Sequence, residues 1–463
     1  MNTAIATDER TPRLRVSVVI VTDGRIQALR SALDALERVD YPAFEVVGGA
    51  GPARDGTRPM IEALAAEGRI KAATCEERNI SKARNIGIAA AAGEVVAFLD
   101  DDALAESGWL ADLAEAYADP AVGGAGGVVF DHTGADFQFR FSACDRTGAA
   151  RHGLSGPAGG DFPFSAEFPH FLGANASFRR EALAAIGGFD EEYDYYLDET
   201  DVCCRLVDGD WRLRQIDGAA VHHKYLSSAI RSDRRILLSR GSVIKNQLYF
   251  TLVNGRDHID MVKAVRTSLA FVDRHRGELA RHAEAGDIYP SAAEDFDTDA
   301  DAALATAFAR GLSGERKTLS PDTFANPQPF RSFGPRKVAR SGSHAVVLIP
   351  WRETETEMPL ESIKGRLGSD AAVRVFALGA PEHRIDYSDG IWLHHIRPTP
   401  TQGRRRPHAA RHLSERLWCV AYSALAEYRR LERYVRFGRI LNAAEPVFDV
   451  ALTADGLPVE SWD

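Results

Sequence analysis

The sequence predicts an α/β protein: a mostly parallel sheet flanked by helices, followed by a helical extension and a second, smaller α/β domain. Val16 to Thr22 (VSVVIVT) is a continuous β-branched run, which is typical of a strand buried on both faces of a parallel sheet. Strand and helix patterns then alternate as far as Asp102, which predicts crossover helices. Buried-strand patterns return after residue 340, which predicts the second domain.

The alternating segment continues with three more strands and three helices. The strands are predicted at 44–47, 69–74 and 94–99, and the helices at 26–39, 60–66 and 81–92. In the turn Asp55-Gly56-Thr57, Asp55 or Thr57 can cap the second helix. Ligands of such sheets bind beyond the carboxyl ends of the strands, so the residues that follow each strand are the first candidates for a site.

Beyond the fourth strand the pattern is less regular. A helix is predicted at 109–117, a single glycine-led strand at 123–130, and a strand or loop at 171–178. The helix predicted at 179–186 ends at Gly187-Gly188, and short strands follow at 211–216 and 219–223. Residues 140–168 are rich in glycine, proline and aromatic residues, so they are predicted to be irregular and to form a lid or an acceptor loop.

The rest of the chain divides into an extension and a second domain. Helices are predicted at 230–320, a linker at 321–340, strands at 345–350, 373–378, 391–395 and 448–452, and one or two long helices at 408–440. Arginines at 404–439 alternate with aromatic residues; a solvated face is the favoured interpretation, and contact with anionic lipid is the alternative. The expected domains are therefore 14–230, 231–340 and 341–463.

Composition excludes several classes of protein. The 56 Lys and Arg against 66 Asp and Glu give a net charge of −10, so no nucleic-acid partner is expected. Five cysteines without paired CxxC spacing favour a reducing cytoplasm over a disulfide framework or a zinc site. Residues 1–13 do not resemble a signal peptide, and no stretch approaches the ~20 apolar residues of a membrane span. A cytoplasmic location is expected, with any membrane contact peripheral to the inner face.

Three aspartates follow the fourth strand directly. Asp100 and Asp102 are separated by one residue, so their carboxylates can point the same way and bind a hard divalent ion, Mg²⁺ or Mn²⁺. An imidazole of His222 or His223, at the end of a short strand, could complete the metal site. The alternative is an acidic turn that binds no metal.

A second acidic cluster lies at Asp198, Glu199 and Asp201, before an apolar helical pattern. Taken alone, the cluster is better explained by favourable charges at a helix start; if it faces a sugar, a carboxylate there can act as a general base on an acceptor hydroxyl. Arg84 and Asn85, early in the third helix, could hold phosphate oxygens and read a base, or could be an ordinary surface pair.

Taken in order, these motifs resemble the inverting glycosyltransferases of family 2, which have the GT-A fold. The resemblance covers about the first half of the chain and rests on VSVVIVT from Val16, DGT from Asp55, SKARNIG from Ser81, FLDDD from Phe98, GAN from Gly173, GGFDE from Gly187, DETD from Asp198, and His223. It implies that Asp100 and Asp102 form the family's DxD motif, with Asp102 the direct metal ligand. It also implies a catalytic base at Glu199.

The resemblance extends to the other expected site residues. They are Thr22, Ala50, Asp55, Arg84, Asn85, Asp100 and Asp101 for the donor, Asp100, Asp102 and His223 for the metal, and Gly173, Asn175 and Asp201 for the acceptor. Two departures from the family pattern affect this set. Ala50 stands where an Asp or Asn usually contacts the base, and the acidic pair reads Asp198-Glu199 rather than Glu-Asp, so either residue could be the base.

The expected activity is transfer of a sugar, with inversion, from a UDP-, GDP- or TDP-sugar to a saccharide or lipid-linked saccharide, in surface polysaccharide or glycan synthesis. Two other classes stay open. A metal-dependent nucleotidyltransferase would release pyrophosphate, and a non-catalytic nucleotide-sugar-binding scaffold would bind a donor without turnover. The C-terminal part weakly resembles the N-terminal half of a GT-B glycosyltransferase, in HRID from His383 and FDV from Phe448, which implies an accessory domain without its own catalysis.

Overall fold

The computed structural model describes residues 14–52, 54–134, 136–337, 344–350, 372–378, 380–397 and 450–453. The strands are β1 (Val16–Thr22), β2 (Phe44–Ala50), β3 (Lys71–Thr74), β4 (Val95–Leu99), β5 (Ala103–Ala105), β6 (Val122–Gly126), β7 (Val129–Phe130), β8 (Phe137–Phe139), β9 (Ser142–Asp145), β10 (Ala150–His152), β11 (Glu167–Pro169), β12 (Asn175–Arg179), β13 (Arg212–Gln215), β14 (Val221–His223), β15 (His344–Pro350), β16 (Ala372–Leu378), β17 (Arg384–Ser388), β18 (Ile391–Ile396) and β19 (Val450–Thr453). The helices are α1 (Ile26–Glu37), α2 (Thr57–Ala66), α3 (Ile80–Ala90), α4 (Trp109–Ala116), α5 (Arg180–Ile186), α6 (Asp198–Asp208), α7 (Gly241–Asn254), α8 (Met261–Glu284), α9 (Ser291–Glu294), α10 (Phe296–Ser313) and α11 (Asp322–Ala325).

Seven strands form the central sheet, in the order β13-β6-β12-β4-β1-β2-β3. Strands β4, β1, β2 and β3 are parallel, as are β13 and β6, whereas β12 is antiparallel to both of its neighbours. The predicted fold class, a mostly parallel sheet flanked by helices, is confirmed. Because parallel strands end at the same edge, the residues that follow β1, β2 and β4 lie side by side.

Helices cover both faces of the central sheet. Val18 and Ile20 of β1 pack with apolar residues of α1 and α4 on one face. Val19 packs on the other face with residues of α3, α5, α6 and α7. Successive side chains of β1 thus enter opposite cores, which explains its unbroken apolar run.

Two smaller sheets correct the predictions for the middle of the chain. The strand predicted at 123–130 is divided into β6, in the central sheet, and β7, in a four-stranded sheet of order β5-β14-β7-β8. The division falls at Gly127, where a Cβ atom would lie 2.2 Å from the carbonyl oxygen of Ala219, so a side chain cannot be accommodated. Residues 140–168, predicted to be irregular, contribute β9, β10 and the start of β11 to an antiparallel sheet.

The helical extension is confirmed, but the predicted linker is not a free segment. Ile244 of α7, Val272 of α8 and Phe296 of α10 share one core. After α11, the backbone N–H of Phe333 donates a hydrogen bond to the carbonyl of Phe44 (2.9 Å), and their ring centroids lie 5.4 Å apart. Linker-like composition predicts only that a segment lacks regular secondary structure. A segment without helix or strand can still pack against the sheet, as Phe333 does against Phe44.

The C-terminal strands form a separate sheet of order β17-β18-β16-β15-β19, parallel except for β17. This confirms the strands predicted there. The helices predicted at 408–440, with the arginine-rich face, lie outside the described residues. In the described ranges, no helix is both long enough and apolar enough to cross a membrane.

Candidate active site

The aspartates after β4 point to two different environments. Asp101 is fully buried and accepts hydrogen bonds from the Thr22 hydroxyl (2.5 Å) and the Arg25 Nε (3.1 Å). Burial raises the pKa of Asp101 to about 7, although the Arg25 guanidinium opposes that rise. The polar groups of Thr22 and Asp101 thus bind each other and help to hold the turn after β4 on the end of β1. Their expected donor role stays a prediction.

Asp100 and Asp102 meet His223 at the carboxyl edge of the sheet. Their ligand atoms all lie within 4.8 Å of one another, with His223 Nε2 3.2 Å from Asp102 Oδ1 and 3.7 Å from Asp100 Oδ2. Strand pairing produces this cluster, because β14 is antiparallel to β5 and sets His223 opposite Ala103, the residue after Asp102. The structure thus brings together the three residues expected to bind a metal.

The donor atoms of this cluster fit a divalent ion. Asp102 Oδ1 is buried and has no hydrogen-bond partner among the described residues, while Oδ2 accepts from Arg25 Nη1 (2.9 Å) and the Leu226 N–H (2.8 Å). The Nδ1 of His223 lies 2.7 Å from Gln138 Oε1, so a proton on Nδ1 leaves the Nε2 lone pair facing the carboxylates. Two carboxylates and an imidazole are ligands that Mn²⁺ accepts.

Electrostatics in this cluster also favour a cation. Burial alone would raise the pKa of Asp102, but His223 and Arg25 hold it well below its usual range. Burial would likewise lower the pKa of His223, yet Asp102 and Asp100 raise it. A proton shared by His223 and Asp102 therefore competes with a metal ion for the same position, and metal binding should weaken as the pH falls.

Arg84 joins the two acidic clusters. Its guanidinium is buried between the rings of Phe98 and Phe189, with centroid distances of 5.7 and 5.4 Å. It forms a close ion pair with Asp198 and lies 3.6 Å from Asp100 Oδ1 and 3.9 Å from Glu199 Oε2. The alternative of an ordinary surface pair at Arg84 is thus wrong.

The second acidic cluster begins α6. Tyr196 and Leu197, with φ angles of 75° and 65°, turn the chain through the left-handed region just before the helix. Asp198 is paired with Arg84 and 3% exposed, whereas Glu199 is 14% exposed and accepts a hydrogen bond from the Gly173 N–H (3.3 Å). Burial and the neighbouring Asp198 raise the pKa of Glu199 well above its usual value, and Arg84 opposes the rise. Glu199 is therefore the more accessible of the two carboxylates, and its raised pKa suits it to accept a proton.

Three expected binding residues use their side chains inside the protein. The amide of Asn85 is buried and bonds to both the N–H and the carbonyl of Phe189. The amide of Asn175 accepts from Trp109 Nε1 and donates to the carbonyls of Val128 and Ala219. Asp201 forms ion pairs with Arg205 and Arg316. These buried groups therefore bond within the protein, which is typical of structural roles. Base reading by Asn85 and acceptor binding by Asn175 and Asp201 stay predictions.

The remaining expected donor residues lie at the carboxyl edge. Ala50 ends β2 beside Thr22 in the strand register, and it is buried. Asp55 accepts from the N–H groups of Ile26 and Thr57, so it ties together the starts of α1 and α2. Its carboxylate also lies at the exposed surface.

Two residues at the site were not predicted. Arg25, 26% exposed, contacts both Asp101 and Asp102. Its place in the loop after β1 could have indicated it, since that loop ends at the ligand-binding edge. Gln138, which orients His223, lies in β8, and no sequence pattern links the two residues.

Gly173→Ala is predicted to impair the site without unfolding the protein. A Cβ atom at residue 173 would lie 2.5 Å from Arg84 Nη2, so the guanidinium must move away from its carboxylate partners. A displacement of about 1 Å can cost roughly 100-fold in kcat/KM. The measurement is donor turnover beside thermal unfolding. Gly156→Ala is the matched control, because no atom lies within 4 Å of its added Cβ. Equal turnover of Gly173→Ala and Gly156→Ala would contradict the role of Arg84 in holding its carboxylate partners in position.

Fold and site together define an α/β protein with a two-part acidic site at the carboxyl edge of its sheet. Residues 17–187 match the family model described as glycosyl transferase family 2, which confirms the resemblance to that family. The match includes Arg84 and the aspartates after β4 but ends before Asp198. Glu199 and His223 lie outside the matched residues, so their expected place in the site rests on the distances described above.

The chain is also similar to individual proteins. It shares 30% identity over 147 residues with the glucosyl-dolichyl phosphate glucuronosyltransferase of Haloferax volcanii, an alignment that covers 29% of this chain and 43% of the relative, less than half of its length. Among solved structures, the mannosyltransferase PcManGT from Pyrobaculum calidifontis with GDP-Man and Mn²⁺ is 20% identical, covers 67% of this chain and 90% of its own, and has a TM-score of 0.39. S. aureus TarS 1–349 with UDP-GlcNAc is 16% identical, covers 65% and 89%, and has a TM-score of 0.39.

Proposed function

We propose that this protein transfers a sugar from a nucleoside-diphosphate donor to an acceptor hydroxyl with inversion of the anomeric centre. The observation that carries the proposal is the position of Arg84, whose one guanidinium lies beside both Asp100 and the Asp198-Glu199 pair. Asp100, which is suited to binding a metal and diphosphate, therefore lies close to the Asp198-Glu199 pair, which is suited to accepting a proton. Glycosyl transfer needs both.

The donor end is assigned to the cluster after β4. Asp102, Asp100 and His223 would hold Mn²⁺ or Mg²⁺, and the free Asp102 Oδ1 with the Nε2 of His223 supports this assignment. When bound, such an ion neutralises the charge that develops on the departing diphosphate. Arg25 lies against Asp102 and keeps that ligand oriented.

The acceptor end is assigned to Glu199. The acceptor oxygen forms a bond to the anomeric carbon as the bond from that carbon to the diphosphate oxygen breaks, and Glu199 takes the hydroxyl proton. Asp198 is proposed to hold Arg84 rather than to act as the base, because its carboxylate is already paired and almost fully buried. Attack opposite the leaving diphosphate gives inversion.

The chemistry of the acceptor is proposed from relatives. The H. volcanii relative is named as acting on glucosyl-dolichyl phosphate, which supports a lipid-linked saccharide as acceptor. A role in surface glycan synthesis is part of the proposal. UDP-, GDP- and TDP-sugars are all candidate donors, since Ala50 offers no polar side chain to read the base. Residues 14–230 are proposed as the catalytic domain, 231–340 as its extension and 341–463 as an accessory domain.

The test is to incubate the full chain with a panel of nucleotide sugars, with Mn²⁺, with Mg²⁺ or with EDTA. Thermal shift reports donor binding, and coupled assays separate nucleoside diphosphate from pyrophosphate. We expect a metal-dependent shift with one class of donor and release of its nucleoside diphosphate. Pyrophosphate release would instead identify a nucleotidyltransferase, and a shift without turnover toward saccharide or lipid-linked acceptors would favour a binding scaffold. No response to any donor would remove the proposal.

A further inference from the structure

The C-terminal sheet contacts the two short strands that carry the proposed metal ligands. Asp102 directly precedes β5, and His223 is the last residue of β14. His222 precedes His223 in β14, so its side chain faces the opposite side of the strand pair from that ligand. On that opposite side, the carboxylate of Glu106 accepts from His222 Nε2 at 2.7 Å. Glu106 and His222 are both buried.

Arg374 of β16 completes this buried group from the C-terminal sheet. Its Nη2 lies 2.8 and 2.7 Å from the two carboxylate oxygens of Glu106, and its Nη1 lies 3.1 Å from His394 Nε2. A carboxylate buried beside a neutral imidazole alone would be poorly compensated, so the arginine supplies the charge that this position requires.

Apolar contacts hold the same two strands from the same side. The ring of His222 stacks on Phe130 (4.7 Å between centroids) and lies 4.8 Å from Trp392 of β18. Ile385 and Trp392 pack against Leu104, the central residue of β5. Lys224, the residue after His223, donates a hydrogen bond to the Ile385 carbonyl. Both ligand-bearing strands are thus fastened to the C-terminal sheet at residues adjacent to the ligands.

We propose that Arg374 is a positioning residue, through which the C-terminal sheet holds β5 and β14 together and sets the spacing of Asp102 and His223 for tight binding of a divalent metal. The inference rests on the metal site of the proposed function. It gives the proposed accessory domain a role in metal binding. Partners that orient metal ligands change metal affinity by about 10- to 100-fold when they are removed.

The test measures Mn²⁺ affinity of the full chain by electron paramagnetic resonance of free Mn²⁺, without donor or turnover. Arg374→Met is expected to weaken Mn²⁺ binding about 10- to 100-fold. Arg397→Met is the control, since it makes the same charge change at an exposed residue just after β18, and it should bind as the wild type does. Circular dichroism melting establishes that each variant is folded.

Two further variants separate positioning from general loss of structure. Glu106→Gln combined with Arg374→Met leaves no uncompensated buried charge but still lacks the contact between the strands, so weak Mn²⁺ binding should persist. Recovery of wild-type affinity in the double variant would show that the loss came from the unpaired Glu106, and would overturn the inference. Arg374→Lys keeps the charge but has no second nitrogen to contact His394 beside Glu106, so it should bind Mn²⁺ more weakly than wild type and more tightly than Arg374→Met. If Arg374→Met does not fold, the Mn²⁺ affinity of Arg374→Lys is the measurement that tests the inference.

If the folded Arg374→Met variant binds Mn²⁺ as tightly as wild type, the inference is overturned and the proposed function stays intact. Where Arg374→Met does not fold, wild-type affinity in Arg374→Lys has the same meaning. Failure of the wild-type protein itself to bind Mn²⁺ would instead contradict the metal site, and the inference with it.

Discussion

Asp102→Asn is expected to abolish metal-dependent donor binding and to lower turnover by roughly 1,000-fold. Asp102 supplies the buried Oδ1 of the proposed metal site, which faces the Nε2 of His223 at 3.2 Å and lies with Asp100 and His223 within the proposed ligand cluster. The amide preserves the size of the side chain and can still accept the hydrogen bond from the Leu226 N–H. The change therefore removes charge with little change in shape, whereas Asp102→Ala, with the same expected loss of binding, also removes the contacts with Arg25.

The measurement is the donor-induced thermal shift with and without Mn²⁺, beside nucleoside diphosphate release. Asp299→Asn, at an exposed position of α10, is the control for loss of one negative charge. EDTA should reproduce the defect in the wild-type protein, and added Mn²⁺ should reverse it only there. A donor-induced shift in Asp102→Asn equal to that of wild type would show that the diphosphate is bound elsewhere.

Glu199→Gln is expected to keep donor binding and to lower kcat by about 100- to 10,000-fold. A glutamine side chain has the same length and can still accept from the Gly173 N–H, so the local structure should be preserved. What it loses is the ability to take a proton at neutral pH. The measurement is kcat with a fixed acceptor, beside the thermal shift with donor and Mn²⁺. Full activity in this variant would place the base elsewhere, with Asp198 the first candidate.

The pH dependence distinguishes Glu199 from Asp198. Because burial and Asp198 raise the pKa of Glu199, the active, deprotonated form is present above that raised pKa and is lost as the pH falls through it. The acidic limb of kcat should therefore lie above the pH at which an ordinary glutamate titrates. Asp198→Asn removes the neighbouring negative charge, so this limb should move to lower pH. If Asp198→Asn eliminates turnover while Glu199→Gln retains it, Asp198 is the base.

The local patterns of the sequence determined the strands and helices of the first domain. The β-branched run of β1 and the helical spacing of Leu29, Leu33 and Leu36 predicted buried elements, and the two cores on the central sheet use those residues. Errors occurred where tertiary contacts override composition. Gly127 ends a strand because Ala219 of a distant segment approaches it, and no pattern near residue 127 indicates that contact.

The sequence by itself also predicted that Asp100 and Asp102 lie at the ligand-binding edge, because residues that follow the strands of a parallel sheet meet there. Glu199 joined the predicted site through the family resemblance, and His223 as a possible further metal ligand at the end of a short strand. Only the tertiary structure decided which polar groups face the site. Asn85 and Asn175 appear suitable in the sequence, yet their amides bond to backbone groups far along the chain. A buried amide must bond to the backbone groups that tertiary packing places beside it, and residue type alone does not specify those neighbours.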